Sequence, residues 1–335
     1  MNKLKMHPAF ARGELRRGKK VLVTGGLGFI GSNLVDSLIA HGHKVVVVDR
    51  NKPSFFKPLN PKAKHYRMDF SAPDIEKVFK KEKPDAVIHL AAQISVTRSI
   101  KDPLSDALNN IIGPIRLLEV ARKNKVKRFL FSSSGGAIYG DYPKFPTPEL
   151  CSVKPLSPYG IGKQAFEYYL FQAAKLYGFS TLAIRMSNVY GPRQGLGGES
   201  GAIGIFCKQI SLGEPILIFG NGRQTRDFLF VGDAVEAFHK GLDSNLEGFV
   251  NVSSGREVTI KKTLDLVAKA AGLKVNPEYF SARPGEILRS VLDNRQALKK
   301  LGWKPKTSLE EGIKITYAWF NEHKDLYRKL GSSHH

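Results

Sequence analysis

Short strand-like runs alternate with helix-length segments through the first 187 residues of the chain. The runs are VLVTGG, KVVVVD, KHYRMD, DAVIHLAA, RFLFSSS and TLAIRMS. This alternation is typical of βαβ units, in which helices join parallel strands and cover both faces of the sheet. We therefore expect an α/β fold with a doubly wound parallel sheet.

The pattern changes after Asn188, where a glycine-rich stretch is followed by elements without regular alternation. We expect one domain over 18–187 and a second, smaller, mixed α/β domain over 188–330. The run FVNVSSG predicts a strand within 230–255 that returns to the first sheet. Ser308 and Glu311 have the spacing of a capping box and predict a helix start. The final GSSHH, residues 331–335, is interpreted as an appended tail outside the fold.

The composition is that of a folded globular protein, with 42% hydrophobic and 24% charged residues. Its longest apolar stretches fall short of the roughly 18 residues that a membrane-spanning helix needs. The basic N-terminal segment lacks the apolar core of a secretory signal. The two cysteines, Cys151 and Cys207, match no metal or redox spacing. We therefore expect a cytoplasmic protein with no membrane segment and no disulfide.

The chain is strongly basic, because 52 Lys and Arg residues against 30 Asp and Glu residues give a formal net charge of +22. Such a charge favours an anionic partner, whether nucleic acid, a membrane surface or a phosphorylated small molecule. The basic residues are spread along the chain and do not alternate with aromatic residues as in a nucleic-acid groove. We expect a solvated, lysine-rich surface and no nucleic-acid partner.

The segment VLVTGGLGFIGSNLV places a strand, a glycine turn and a helix in succession. Gly26, Gly28 and Gly31 fit G-x-G-x-x-G, in which glycines let the backbone approach a pyrophosphate at a helix N-terminus. Asp49 ends the next strand, where an acid binds a ribose 2′-hydroxyl and favours NAD, although the adjacent Arg50 would suit NADP. The predicted cofactor contacts in the turn are Gly25, Gly28, Phe29, Ile30 and Gly31.

A second constellation combines a serine cluster with a tyrosine–lysine pair. RFLFSSSGGAIYG ends a predicted strand in three serines, and Tyr159 and Lys163 lie four residues apart on one face of a predicted helix. A phenol, with a reference pKa of about 10, is a poor base at neutral pH, but a nearby ammonium group stabilises its phenolate. We therefore expect Tyr159 to act as a general acid and base beside Lys163.

Together these motifs resemble those of the extended short-chain dehydrogenases/reductases, and most of all the UDP-glucose 4-epimerases of the NAD-dependent epimerase/dehydratase superfamily. The resemblance runs from about Lys19 to Tyr327, and further motifs stand where that family has them: HLAAQ, NNIIG, SNVYGPR, SGAIGIF, QTRDFLFV and RPGE. It implies a Rossmann-like NAD-binding domain followed by a domain that binds a nucleotide sugar.

The resemblance implies four catalytic residues. Tyr159 corresponds to the family's base, Lys163 to its partner on the nicotinamide ribose, and Ser134 to the hydroxyl that hydrogen-bonds the reacting sugar oxygen. Asn110 matches the structural asparagine that organises a proton-relay water. Because SSSGGAIYG is one residue longer than the family's shorter form, Ser133 is an alternative to Ser134.

The same resemblance implies binding residues on both sides of the site. Around the adenosine of NAD these are Asp69, Phe70, Leu90, Ala91 and Ala92. For the diphosphate of the nucleotide sugar they are Asn188, Arg226 and Arg283, and arginine suits a dianion because its planar fork makes charge-assisted hydrogen bonds. Ser290 stands where the family borders the C2 substituent of the sugar, so its small side chain would leave room for an N-acetyl group.

The implied reaction interconverts UDP-glucose and UDP-galactose through a transient 4-keto sugar. Tyr159 removes the proton of the C4 hydroxyl while NAD takes the hydride, and the keto sugar rotates before the hydride returns to its other face. Ser290 extends the expected substrates to UDP-GlcNAc and UDP-GalNAc. The family also implies a homodimer formed through helices near 103–123 and 157–177. The sequence contains no metal constellation.

Other functions stay open at this point. A 4,6-dehydratase needs an acidic pair where Gly135 and Gly136 stand, and other nucleotide-sugar epimerases differ in a base pocket that the sequence does not resolve. A catalytically silent relative would bind nucleic acid through its basic surface, although such relatives lose the Tyr, Lys and Ser residues kept here. An NADP-dependent reductase is disfavoured by Asp49. We interpret His89 as a core or cofactor-side histidine, because no carboxylate or serine stands at triad-like spacing.

Overall fold

A parallel sheet forms the centre of the molecule, described here by a computed structural model of residues 18–54, 58–195, 201–282 and 287–331. Seven strands in these ranges form the sheet: β1 (Lys20–Thr24), β2 (Lys44–Asp49), β3 (Lys64–Arg67), β4 (Ala86–His89), β5 (Arg128–Ser134), β6 (Ser180–Met186) and β10 (Gly248–Val252). Their order is β10–β6–β5–β4–β1–β2–β3, and every neighbouring pair is parallel.

The strands are joined by helices, as parallel pairing requires. In the first part of the chain these are α1 (Phe29–Ala40), α2 (Ile75–Glu82), α3 (Val96–Lys101), α4 (Pro103–Ala107), a π-helical segment (Leu108–Ile112), α5 (Gly113–Lys123), α6 (Gly135–Ile138) and α7 (Pro158–Tyr177). Further along the chain follow α8 (Ala202–Leu212), α9 (Val231–Asp243), α10 (Ile260–Ala271), α11 (Arg295–Leu301), α12 (Leu309–Glu322) and α13 (Lys324–Gly331).

Hydrophobic residues are buried on both faces of the central sheet, because side chains alternate along each strand. In β1, Val21 and Val23 join a core that includes α1, α9 and Trp303, whereas Leu22 joins a core that includes α2, α5 and α7. Near-continuous apolar strands such as β1 and β2 are what a sheet covered on both faces requires.

The smaller sheets are built from the chain after Ser187. One has the order β11–β9–β7, with β7 (Asn188–Tyr190), β9 (Thr225–Phe230) and β11 (Glu257–Thr259), and the other pairs β8 (Leu217–Phe219) with β12 (Glu278–Phe280). Helices α8, α10 and α12 pack with β9 into a third hydrophobic core. This arrangement sets a second layer against the carboxyl edge of the central sheet.

The α/β fold with a doubly wound, Rossmann-like parallel sheet is confirmed. The run FVNVSSG contains β10, which pairs in parallel with β6 at the edge of the central sheet. On this basis we propose the division at residue 188, with the chain returning to the first domain in β10. In the described ranges, no helix is long and apolar enough to cross a membrane.

The start of α12 is the one that the capping box predicts. Ser308 is the N-cap residue, and its Oγ accepts a hydrogen bond from the backbone N–H of Glu311 at 3.2 Å. The cap satisfies one of the amide groups that have no acceptor within the first turn of a helix. Ile313 and Phe320 of this helix are buried in the third core.

We expect Ser308→Ala to lower the free energy of unfolding by about 1 kcal/mol, because the capped amide loses its acceptor. Chemical denaturation followed by circular dichroism measures this change, and Ser308→Asp, which restores an acceptor, is the matched control. An unchanged midpoint in Ser308→Ala, with the same slope, would contradict the assignment.

Candidate active site

A cleft with a volume of about 770 Å³ opens at the carboxyl edge of the central sheet. Its walls include the ends of β2 and β5, the residues after β4, the first turns of α1 and α7, and residues of β7 and β9. Strand β1 lies between β2 and β4, so the winding of the chain reverses direction there. In open parallel sheets, this reversal point is where ligands bind.

The glycine turn between β1 and α1 brings bare backbone to the cleft. Gly25 has a φ of +71°, and a Cβ on it would lie 2.7 Å from the backbone nitrogen of Ala91. A Cβ on Gly31 would lie 2.1 Å from the carbonyl oxygen of Gly25. Helix α1 follows with no acidic residue in its first turn, so its amide groups and dipole are available to an anion.

The glycines that line the cleft differ at one position from those that fit G-x-G-x-x-G. Gly25, Gly28 and Gly31 line the cleft together with Phe29 and Ile30. Gly26 instead packs towards the core, where a Cβ would lie 2.7 Å from Cγ1 of Val47. Gly25, one of the cofactor contacts predicted from the sequence, thus has the positive φ and lines the cleft, whereas Gly26 fits the sequence pattern without lining it.

Asp49 is held at the end of β2 by the glycine turn itself. Its Oδ2 accepts a hydrogen bond from the backbone N–H of Leu27 at 3.1 Å, and its Oδ1 accepts from the backbone and side chain of Asn51 at 2.9 and 2.8 Å. The side chain is buried and lines the cleft. Arg50 also lines the cleft but is exposed, so the acid is the inner group of the two.

The predicted adenosine contacts lie together on one wall. Asp69, Phe70, Leu90, Ala91 and Ala92 all line the cleft. The Oδ1 atom of Asp69 accepts hydrogen bonds from the backbone and side chain of Ser71 at 2.8 and 2.7 Å. These contacts fix the carboxylate of an otherwise exposed residue.

The first turns of α7 carry Tyr159 and Lys163. The helix begins after Ser157, whose Oγ accepts from the backbone N–H of Gly160 at 3.2 Å. The Nζ atom of Lys163 lies 5.7 Å from the centre of the Tyr159 ring and donates to the carbonyl oxygen of Ser132 at 2.9 Å. Both side chains line the cleft, so the ammonium group is near the phenol, as the four-residue spacing predicts.

Burial makes the ammonium group of Lys163 more acidic. It lowers the pKa of the ammonium group to about 8, although the carboxylates of Asp106 and Glu167 act in the opposite direction. The group is thus mostly a cation at neutral pH and loses its proton more easily than an exposed lysine. A cation at this point favours the phenolate form of a neighbouring tyrosine.

The geometry distinguishes the two candidate serines. The Oγ atom of Ser133 donates to Oε1 of Glu167 at 2.5 Å, and the Ser133 side chain is buried. Ser134 is half-buried at the end of β5 and lines the cleft beside Gly136 and Ala137. The hydroxyl of Ser133 is thereby used within the protein, and Ser134 remains the better candidate for contact with a substrate.

A buried hydrogen-bond network contacts the serine cluster, and the sequence analysis did not predict it. The guanidinium of Arg185 binds the Glu167 carboxylate through Nε and Nη2, with contacts of 2.5 to 3.1 Å. Its Nη1 donates to the hydroxyl of Tyr139, which in turn donates to Oδ1 of Asn251 at 2.6 Å. The sequence contains a weak indication of this network, since Glu167 lies one helical turn after Lys163 and Arg185 interrupts an apolar strand.

Asn110 lies in the π-helical segment and is buried behind the cleft wall, whereas its neighbour Asn109 lines the cleft. Its Oδ1 accepts from the backbone N–H of Gln93 at 3.1 Å, and its Nδ2 donates to the Gln93 carbonyl and to Oδ1 of Asp106, both at 2.9 Å. Asn110 thus fixes the backbone that follows β4. Gln93 and Asp106 are further members of this group that sequence reasoning missed.

His89 is a core residue, as the sequence interpretation had it. Its Nδ1 lies 2.6 Å from Oγ1 of Thr24, and its ring packs against Phe70 and Phe131. Burial lowers the pKa of His89 to about 3, so the ring is neutral. Its Nε2 has no hydrogen-bond partner among the described residues, so only one of its nitrogens is satisfied.

Three of the residues predicted to contact the nucleotide sugar also line the cleft. Asn188, Arg226 and Ser290 line the cleft. The Nη1 atom of Arg226 donates to the carbonyl oxygens of Thr225 and Ile287, at 2.8 and 2.7 Å, which ties β9 to the segment that carries Ser290. Arg283 lies outside the described residues. Within the described ranges, no group of three or more His, Cys, Asp or Glu residues is arranged to hold a metal ion.

Comparison with known proteins decides the family. Residues 21–253 match the NAD dependent epimerase/dehydratase family. The chain belongs to this family. It is 41% identical over 308 residues to the UDP-glucose 4-epimerase of Mycolicibacterium smegmatis, covering 90% of this chain and 98% of that relative. Membership confirms the resemblance stated from the motifs, and it confirms NAD as the cofactor that the glycine turn and Asp49 predict.

Solved structures of epimerases have the same fold. The UDP-glucose 4-epimerase of Thermotoga maritima with UDP-glucose superposes with a TM-score of 0.88 at 43% identity, covering 90% of this chain and 99% of that one. The UDP-N-acetylglucosamine 4-epimerase of Methanobrevibacter ruminantium, in complex with UDP-N-acetylmuramic acid, gives a TM-score of 0.87 at 34% identity, covering 92% and 100%. The two TM-scores are nearly equal, so the fold does not distinguish between these nucleotide sugars. The choice between them depends on the residues that line the cleft.

Proposed function

We propose that this protein is an NAD-dependent 4-epimerase that interconverts UDP-glucose and UDP-galactose. The observation that carries the proposal is that Tyr159, Lys163 and Ser134 line one cleft together with the glycine turn and Asp49. An acid–base pair beside a dinucleotide site is what reversible oxidation of an alcohol requires. The Mycolicibacterium smegmatis and Thermotoga maritima relatives, both named UDP-glucose 4-epimerases, support the choice of substrate.

The residues have separate tasks in this reaction. Tyr159 takes the proton of the sugar C4 hydroxyl at its Oη and later returns it, while the hydroxyl of Ser134 hydrogen-bonds the same sugar oxygen. Lys163 stabilises the phenolate by its charge. NAD, held by the glycine turn and Asp49, would supply a reversible acceptor for the C4 hydride. Gly25, Gly31 and the rest of the turn hold the pyrophosphate on backbone amides.

The diphosphate of the substrate supplies the anchoring energy. Asn188 and Arg226 line the same cleft as the glycine turn, and Arg283 follows in the motif RPGE. Charge-assisted hydrogen bonds from arginine hold a dianion strongly. Because that energy comes from the nucleotide rather than the hexose, the sugar is free to rotate between the two hydride transfers.

The cleft argues against a 4,6-dehydratase. Gly135 carries no acid, and a Cβ there would lie 2.3 Å from Cδ1 of the buried Leu292, so a larger side chain would require Leu292 to shift. Gly136 has space, since its Cβ would lie 3.8 Å from Oδ1 of Asn188, but it carries no acid. The intact set of Tyr159, Lys163 and Ser134 likewise argues against a silent nucleic-acid-binding relative.

We expect the purified protein to convert UDP-galactose into UDP-glucose without added NAD, as followed in a ¹H NMR time course. Tyr159→Phe removes the acid–base group and should lower the rate by about 10²-fold or more. Tyr168→Phe is the matched control, because this exposed tyrosine lies on the same helix α7 and does not line the cleft. It should keep the wild-type rate.

Two outcomes would contradict the proposal. A wild-type rate in Tyr159→Phe would remove this residue from the chemistry. Absence of conversion by the wild-type protein, even after NAD is supplied, would transfer the assignment to another nucleotide sugar or to a nucleic-acid-binding function.

We further propose that Ser290 leaves room for the N-acetyl group of UDP-GlcNAc and UDP-GalNAc. Ser290 lines the cleft, and the epimerase of Methanobrevibacter ruminantium with the same fold is named for UDP-N-acetylglucosamine. Ser290→Tyr should lower kcat/KM for UDP-GalNAc at least tenfold, which is about 1.4 kcal/mol. Activity on UDP-galactose should survive, and Ser290→Ala should accept both substrates. Retention of N-acetyl activity by Ser290→Tyr would rule the idea out.

We also propose a homodimer formed by the outer faces of α3 to α5 and α7. These faces expose large apolar side chains, among them Ile100, Leu104, Leu108, Tyr168 and Phe171. A contiguous apolar face of this kind is typical of an interface between proteins.

Sedimentation velocity should give a dimer for the wild type and a monomer for the double variant Leu104→Asp and Phe171→Asp, because two buried charges would oppose association. Leu298→Asp, at a similarly exposed position on α11, is the control. A monomeric wild type would refute the dimer.

A further inference from the structure

An ion pair joins α1 to the segment that follows β7. The Nη2 atom of Arg193 lies 2.7 Å from Oδ2 of Asp36, and the two side chains are only 11% and 19% exposed. Asn60 donates from its Nδ2 to the other carboxylate oxygen at 2.8 Å. A pair so far withdrawn from water is screened less by salt than a surface pair. We call it the Asp36–Arg193 clasp.

The backbone at Arg193 is strained. Its φ is +70°, a left-handed conformation that costs a residue with a Cβ roughly 1–2 kcal/mol. Lys83 and Lys125 also have positive φ, but each follows the last turn of a helix, where this conformation is usual. Arg193 lies in a loop beside the cleft, and strain of this kind persists at functional sites where the surroundings hold it.

The segment around Arg193 contacts both α1 and α8. Asn33 of α1 donates from its Nδ2 to the carbonyl oxygens of Phe29 and Pro192 at 2.9 and 3.2 Å. Gln194 lines the cleft and is buried against α8, where a Cβ on Gly204 would lie 2.8 Å from its Oε1. The segment thus connects α1, which follows the glycine turn, to α8.

We propose that the Asp36–Arg193 clasp closes the cleft wall over the dinucleotide and sets how slowly NAD leaves the protein. Residues of the glycine turn and Gln194 both line the cleft, and the clasp joins the helix that follows the turn to the segment that carries Gln194. The inference depends on NAD as the cofactor of this family and on no particular sugar substrate.

The test measures NAD dissociation from the full-length, NAD-loaded protein. Bound NAD is chased with excess ADP-ribose, and the NAD released with time is quantified by chromatography. We expect Arg193→Ala to raise the dissociation rate at least tenfold, which corresponds to about 1.4 kcal/mol. Asp36→Asn, which keeps the shape of the side chain, should have a similar effect. Arg193→Lys should restore much of the wild-type rate because it keeps the positive charge.

A matched control separates the clasp from general stability. Glu82 is a buried carboxylate paired with Lys64 and Lys20, and it does not line the cleft. Glu82→Gln should lower the melting temperature and leave the NAD dissociation rate unchanged. A wild-type dissociation rate in folded Asp36→Asn would overturn the proposal. So would an equal acceleration in Glu82→Gln, because NAD loss would then follow stability alone.

The outcome is independent of the substrate assignment. If the wild-type protein fails to convert UDP-galactose and the clasp variants still lose NAD faster, the epimerase proposal fails and the clasp stands. If conversion is observed and the NAD dissociation rates are equal, the clasp fails and the epimerase proposal stands.

Discussion

The buried ion pair between Arg185 and Glu167 is the interaction on which the position of helix α7 depends. Their side chains are only 4% and 6% exposed, so both charges have left water and each relies on the other. Hydrogen bonds with Glu167 raise the pKa of Arg185 against the opposing effect of burial. Because Glu167 is on α7 and Arg185 on β6, the pair fixes the helix against the sheet, and Lys163 lies one turn earlier on that helix.

The network also reaches the serines and the edge of the sheet. Ser133 donates to Glu167, and the centre of the Phe249 ring lies 3.7 Å from the Arg185 guanidinium carbon. Tyr139 carries the hydrogen bonds on to Asn251 in β10. One charge pair thereby connects the end of β5, the middle of helix α7 and strand β10 at the edge of the sheet.

Sequence patterns predicted the features that depend on residues close together in the chain. The apolar runs gave the strands, Ser308 gave the start of α12, and the spacing of Tyr159 and Lys163 gave one helical face. The network could not be found this way, because Tyr139 and Asn251 are 112 residues apart and their pairing depends on the tertiary fold. The different surroundings of the adjacent Gly25 and Gly26 also depend on the folded turn, in which Gly25 has the positive φ and Gly26 packs against Val47.

The return of β10 to the central sheet has a consequence for synthesis on the ribosome. Until residue 252 has emerged, β6 is an open sheet edge and Arg185 lacks the Tyr139–Asn251 link that completes its surroundings. At roughly 5–20 residues per second, the intervening stretch takes on the order of several seconds to translate. During that interval the nascent first domain presents an unpaired strand of the kind that other chains can join. The segment between β6 and β10, which builds the second layer, thus also delays the completion of the central sheet during synthesis.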